Sequence, residues 1–119
     1  MKLIKFTVLL LMISSIGYAQ NKNAKATIEV DGVCMMCKNR IEKACLKTKG
    51  VKSAVWNVET HKLSLLYDER KVNLETINSN IAEVGHDTES TKAKDEVYDT
   101  LHFCCKYREK EIQEDHKSN

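Results

Sequence analysis

Two cysteines three positions apart, Cys34 and Cys37, enclose two thioether residues, Met35 and Met36. Thiolates at this spacing can reach one ion. They select soft cations: Cu(I), Zn(II), and by the same softness Hg(II). Two sulfurs suffice for Cu(I) or Hg(II) in a near-linear arrangement, whereas Zn(II) calls for four ligands and would leave this motif an open site. The spacing therefore favours a low-coordinate, exchangeable site over a structural zinc knuckle. Met35 and Met36 are further soft donors. A second constellation, His102, Cys104 and Cys105, lies far down the chain.

The flanking residues say how the first pair is held. Ala26, Ile28 and Val30 alternate with polar residues, the mark of a half-buried strand over 25–30. Asp31-Gly32 ends it. From Cys37 the period changes, and Ile41, Ala44, Cys45 and Thr48 fall on one helical stripe that stops at Gly50. The CxxC thus sits where a strand runs into a helix. The N–H groups and partial positive charge of a helix start lower thiol pKa values and make the thiolate accessible. Cys45, on the apolar stripe, reads as a small core residue.

Val51–Val58 and Leu63–Tyr67 read as a strand hairpin with His61 in its turn. Leu74, Ile77, Ile81 and Val84 describe a second helix, with Asn73 as its cap and Gly85 as its stop. His86–Thr91 has room for a short last strand. The order is strand, helix, strand, strand, helix, strand. That is an α+β, ferredoxin-like split βαββαβ sandwich, two helices on one face of a four-stranded sheet. A polar link then leads to Val97, Leu101, Cys104 or Cys105, Arg108 and Ile112, three or four apart, which predicts an extra C-terminal helix over 96–114 carrying the cysteine pair.

At this point the chain resembles the heavy-metal-associated (HMA) domain family, to which soluble copper chaperones and periplasmic mercury-binding proteins belong. The resemblance covers residues 25–91 and rests on Gly32, Cys34, Cys37, Ile41, Glu42, Ala44, Gly50-Val51 and Gly85. It implies the same split βαββαβ fold and a non-enzymatic role. Cys34 and Cys37 would carry the metal and pass it by ligand exchange to a transporter or another metal carrier. Three features depart from the pattern. Only Val33 separates Gly32 from Cys34, one residue fewer than usual. His86 stands where Tyr or Phe is common. The segment after Thr91 lies outside the pattern altogether.

His86 belongs to a loop expected at the same end of the domain as the CxxC, and is a further candidate ligand. For His102, Cys104 and Cys105 three readings stand. The C-terminal helix folds back and adds ligands to the CxxC, or the thiols form a disulfide, or they only pack. On a regular helix His102 and Cys105 share a face, while Cys104 points some 100° away. Two other functions compete with a carrier: a thiol–disulfide redox protein, and a sequestering or sensing module closed by the Cys-Cys helix. There is no proline in the chain, which counts against a thioredoxin-like site with its cis-proline.

The N-terminus has the pattern of a secretory signal over 1–19: Lys2 and Lys5, an apolar run, and Gly17-Tyr18-Ala19 before a cleavage point after Ala19. The expectation is an exported, periplasmic protein with no stable membrane insertion after cleavage, since the apolar run is short for a span. Removal of Lys2 and Lys5 leaves 17 basic and 17 acidic residues. That balance gives no electrostatic footprint for nucleic acid. All five cysteines lie after residue 19, four of them in two tight pairs, which suits ligand or redox chemistry better than a disulfide scaffold.

Overall fold

The computed structural model describes residues 20–117, so the signal segment 1–19 lies outside the described residues. The alternating run before the CxxC forms strand β1, Ala24–Glu29. Ile28 and the following Val30 are buried, while Lys25, Thr27 and Glu29 face out. Helix α1 spans Met35–Leu46 and buries Cys37, Ile41, Ala44 and Cys45, the i, i+4, i+7, i+8 stripe of a helix packed on one face. Strands β2, Val51–Trp56, and β3, Lys62–Tyr67, form the hairpin. The sheet order is β1-β3-β2, all antiparallel, with Leu63 paired to both Ile28 and Trp56. His61, at the hairpin turn, stacks on Trp56 with ring centroids 5.6 Å apart.

The Ile28–Leu63–Trp56 row supports the CxxC loop. The Trp56 indole donates to the Val30 carbonyl at 3.0 Å. A Cβ on Gly32 would stand 2.9 Å from the indole and 3.0 Å from Cys37 Cβ, so glycine is required here for close approach. β2 is an edge strand, and its end is satisfied by α1. Glu42 accepts from the Trp56 amide at 2.8 Å and Lys38 donates to the Trp56 carbonyl at 2.8 Å, while the two side chains pair with each other. This exchange locks the first turns of α1, and with them the CxxC, against the sheet.

Helix α2 spans Leu74–Glu83 and buries Ile77 and Ile81. Asn73 caps it as expected, accepting from the Thr76 amide at 2.8 Å. Gly85 ends it at φ 103°, the left-handed conformation that favours glycine. The expected last strand over 86–91 shrinks to a single antiparallel bridge between Val30 and Thr88. After that bridge the Thr88 amide turns inward to the Thr91 carbonyl at 2.8 Å, and Asp87 is committed to the C-terminal segment. The split βαββαβ plan is kept, with three full strands and the fourth reduced to one pair.

The expectation of one continuous helix over 96–114 is corrected. The segment folds as three short pieces: helix α3, Asp95–Tyr98, a 3₁₀ turn, Phe103–Cys105, and helix α4, Lys110–Lys117. α4 provides the extra C-terminal helix. The break is made by a side chain from further along the chain. Lys106 donates to the carbonyls of Tyr98 and Asp99 at 3.2 and 2.9 Å, taking up the free acceptors at the end of α3. Nor is the segment an appendage, because Tyr98, Leu101, Cys105 and Tyr107 belong to the one hydrophobic core. The Tyr107 hydroxyl donates to the Gly85 carbonyl at 2.6 Å and accepts from the Asp87 amide at 2.9 Å. Arg108 pairs with Asp87 at 2.8 Å, reaches the Ala93 carbonyl at 2.8 Å, and lies over the Tyr98 ring.

His86 is fully buried, not a loop-surface residue. Its Nδ1 lies 2.8 Å from the Asp31 carbonyl and its Nε2 3.4 Å from Arg40 Nη1. A carbonyl can only accept and a guanidinium can only donate. The neutral ring with its proton on Nδ1 therefore satisfies both. Its face stacks on Tyr107 at 5.3 Å. Burial, with the Arg40 charge adding to it against the opposing pull of the Asp31 carbonyl, lowers its pKa from the ordinary 6.5 to about 4. The unfolded chain then binds the extra proton between pH 6.5 and pH 4. The stabilisation is complete above pH 6.5 and is lost as pH falls through that window. By pH 5 the loss is about 2 kcal/mol. Urea unfolding at pH 7 and pH 5 should show that drop in the parent and a much smaller one in His86→Phe; equal drops in both would refute the assignment.

Candidate metal centre

The turn from Val30 into α1 brings Cys34 and Cys37 together, with their sulfurs 3.4 Å apart. Cys34 is the N-cap of α1 and its backbone is extended, so its side chain faces the open N–H groups of the first turn. The C-terminal segment supplies two more thiols. Cys105 Sγ lies 3.3 Å from Cys34 Sγ, and Cys104 Sγ lies 4.0 Å from Cys105 Sγ. The ligand atoms of Cys34, Cys104 and Cys105 all lie within 4.8 Å of one another. All five cysteines are free thiols. The obstacle to adjacent cysteines on a regular helix is removed here by the 3₁₀ turn, which lets the Cys104 and Cys105 sulfurs converge.

The thiols are unequal. Burial opposes ionisation of Cys34, yet its pKa is lowered, because the backbone N–H of Cys37, the thiols of Cys105 and Cys37, and the Met36 N–H all favour its thiolate. Cys37 is fully buried, and burial pushes its pKa far up, with the neighbouring Cys105 and Cys34 thiols adding to the shift. Cys104 is raised to about 11 by burial and by Cys105. Cys45 is also fully buried and is pushed up to about 12 by burial, then by Glu42, in keeping with a core role. Cys34 is thus the first sulfur to offer a lone pair to a cation.

The other candidates divide. Met36 Sδ lies 3.6 Å from Cys104 Sγ, so Met36 borders the thiols, while Met35 is 59% exposed. His102 Nδ1 lies 3.1 Å from Cys104 Sγ. His86 is near the CxxC loop, as its position implied, but both its ring nitrogens are engaged and neither is free for an ion. Sequence spacing gave no sign of the residues that seat the second cysteine pair: Tyr107, Arg108 and Asp87. His116 was equally silent. On α4, its Nε2 lies 3.3 Å from the Cys104 carbonyl.

Residues 27–87 match the heavy-metal-associated domain. The chain belongs to that family. The HMA match includes Cys34, Cys37 and His86, and stops short of Cys104 and Cys105. The copper chaperone CopZ of Staphylococcus epidermidis is 36% identical over 61 residues, which is 50% of this chain and 90% of the chaperone. A copper-exporting P-type ATPase of Staphylococcus haemolyticus is 32% identical over 73 residues, 60% of this chain but only 9% of the ATPase. Among solved structures, a CopZ metallochaperone superposes with a TM-score of 0.53 at 32% identity, covering 55% of this chain and 98% of its own. The HMA fold, with its metal-binding class, is therefore that of this chain. No described helix is long and apolar enough to cross a membrane.

The order of ionisation is measurable. With limiting iodoacetamide at pH 7.5 under reducing conditions, peptide mass spectrometry should find Cys34 alkylated ahead of the buried Cys37 and Cys45. Labelling of Cys37 or Cys45 ahead of Cys34 would contradict the site electrostatics.

Proposed function

We propose that this protein is an exported carrier of a soft metal ion, Cu(I) foremost, which binds through Cys34 and Cys37 and hands the ion to a transporter or another carrier domain. The observation that carries the reading is the lowered-pKa Cys34 thiol, 3.4 Å from Cys37 at the start of α1, inside the HMA match. Two thiolates in this position accept Cu(I), Hg(II) or Zn(II). The copper named for the chaperone and the ATPase relatives favours Cu(I) among the three.

Transfer needs no catalytic group. An incoming thiolate from the partner adds to the ion as one resident thiolate leaves, so bonds are exchanged one at a time and no electrons move. The partly exposed Cys34 suits the first contact, and the buried Cys37 suits the last release. Support for export comes from the positive start, apolar run and Gly17-Tyr18-Ala19 of the N-terminal sequence.

Anaerobic Cu(I) titration of the reduced protein against a chromogenic chelator should show one tightly held ion. Cys34→Ser/Cys37→Ser should lose it while Cys45→Ser keeps it; equal uptake by the double variant and the parent would overturn the carrier site. For export, the intact mass of protein recovered from the periplasmic fraction should correspond to a chain beginning at Gln20. Full-length protein confined to the cytosol would remove that part of the reading.

A further inference from the structure

The Cys34–Cys37 spacing does not suit the linear coordination that two sulfurs usually give a soft ion. With metal–sulfur bonds of about 2.3 Å, a linear pair places its sulfurs ~4.6 Å apart, whereas a trigonal set places them ~4.0 Å apart. The sulfurs stand at 3.4 Å for Cys34–Cys37, 3.3 Å for Cys34–Cys105 and 4.0 Å for Cys104–Cys105. These separations lie nearer the trigonal value. The three sulfurs that gather within 4.8 Å of one another are Cys34, Cys104 and Cys105, with Cys37 adjoining both Cys34 and Cys105.

The second pair is held in place by contacts that owe nothing to an ion. Cys105 is fully buried in the core beside Leu101 and Tyr107. Tyr107 bridges the Gly85 carbonyl and the Asp87 amide, and Arg108 ties the strap to Asp87, Asp95 and the Ala93 carbonyl. The cost of ordering these ligands is met in folding, so little remains to be met on binding. Around the outer thiol stand further soft or basic groups. Met36 Sδ touches Cys104, and His102 Nδ1 is within reach of the Cys104 thiol proton.

We propose that the C-terminal strap is a clasp over the CxxC: Cys104 and Cys105 join Cys34 in a three-thiolate site that holds a soft monovalent ion three-coordinate and slows its release. The proposal rests on the carrier reading above and adds the retained state of the same site. Each new metal–sulfur bond displaces a thiol proton to water, and the oxidation state of the ion does not change. Cys34 is the common ligand. With the clasp closed the ion sits on Cys34, Cys104 and Cys105. An incoming partner thiolate bonds to the ion as Cys104 leaves and takes up a proton; Cys37 then gives up its proton and bonds as Cys105 leaves protonated, so the ion rests on Cys34, Cys37 and the partner sulfur, from which it is handed on.

The test is copper-edge X-ray absorption of the anaerobic, reduced full chain loaded with one equivalent of Cu(I), paired with the rate of Cu(I) loss to excess bathocuproine disulfonate. The parent should show three sulfurs around copper. Cys104→Ala, at a half-buried position, should show two and release copper about tenfold or more faster, with its thermal unfolding unchanged. Cys105→Ser serves as a second variant, read only if its circular dichroism matches the parent, because Cys105 is a core residue. An unchanged sulfur count in Cys104→Ala, whether two or three, overturns the clasp and leaves the Cys34–Cys37 carrier standing. Failure of the parent to take up Cu(I) at all overturns both.

Discussion

Two thiolates cannot stand 3.4 Å apart without a cation between them. At the effective dielectric of a protein surface their repulsion is about 5 kcal/mol, more than any nearby backbone N–H group returns. The site therefore ionises unequally: Cys34 is lowered, and Cys37 is driven up beneath it. The arrangement is poised rather than charged. Of the pair, Cys34 ionises first while Cys37 keeps its proton. Everything else in the domain can be read as the means of holding several sulfurs at distances they would not choose.

Three anchors do this, and each is a backbone group satisfied by a side chain from elsewhere. The Trp56 indole takes the Val30 carbonyl and fixes where β1 stops. His86 takes the Asp31 carbonyl and fixes the next residue. Tyr107 takes the Gly85 carbonyl and the Asp87 amide and fixes the strap against the loop that follows α2. His86 and Tyr107 stack on each other, so the CxxC loop and the strap share one wall. Tyr or Phe, common in the family where His86 stands, would lack the Nδ1–H that holds the Asp31 carbonyl here. The histidine and the strap thus form one unit.

The parts of this fold legible in the sequence were those written in local periodicity. Ala26, Ile28 and Val30 mark β1 by alternation. Ile41, Ala44 and Cys45 mark α1 by helical spacing, and Asn73 marks the start of α2 by its side-chain oxygen. The Cys34–Cys37 pair was legible because both ligands come from one turn. The last strand and the C-terminal segment were not, because their structure is decided by distant partners. Residues 86–91 can form a strand, but Asp87 is claimed by Arg108 twenty-one positions away. Val97, Leu101, Cys105, Arg108 and Ile112 mimic one helix by spacing, yet Lys106 ends the first turn by reaching back to Tyr98 and Asp99. Tertiary contacts override a local pattern of this strength.

On the carrier reading proposed above, the ion must be held firmly enough to travel and loosely enough to be delivered, and the placement of the strap speaks to both demands. Its inner end, Cys105 and Tyr107, is built into the core and is costly to move. Its outer end is not: Cys104 is half-buried, Phe103 is 69% exposed and His102 is exposed. In the proposed clasp, opening needs only Cys104 and its exposed neighbours to move, while Cys105 and the core beneath stay packed. Such an opening leaves the sheet, α1 and the Cys34–Cys37 edge undisturbed.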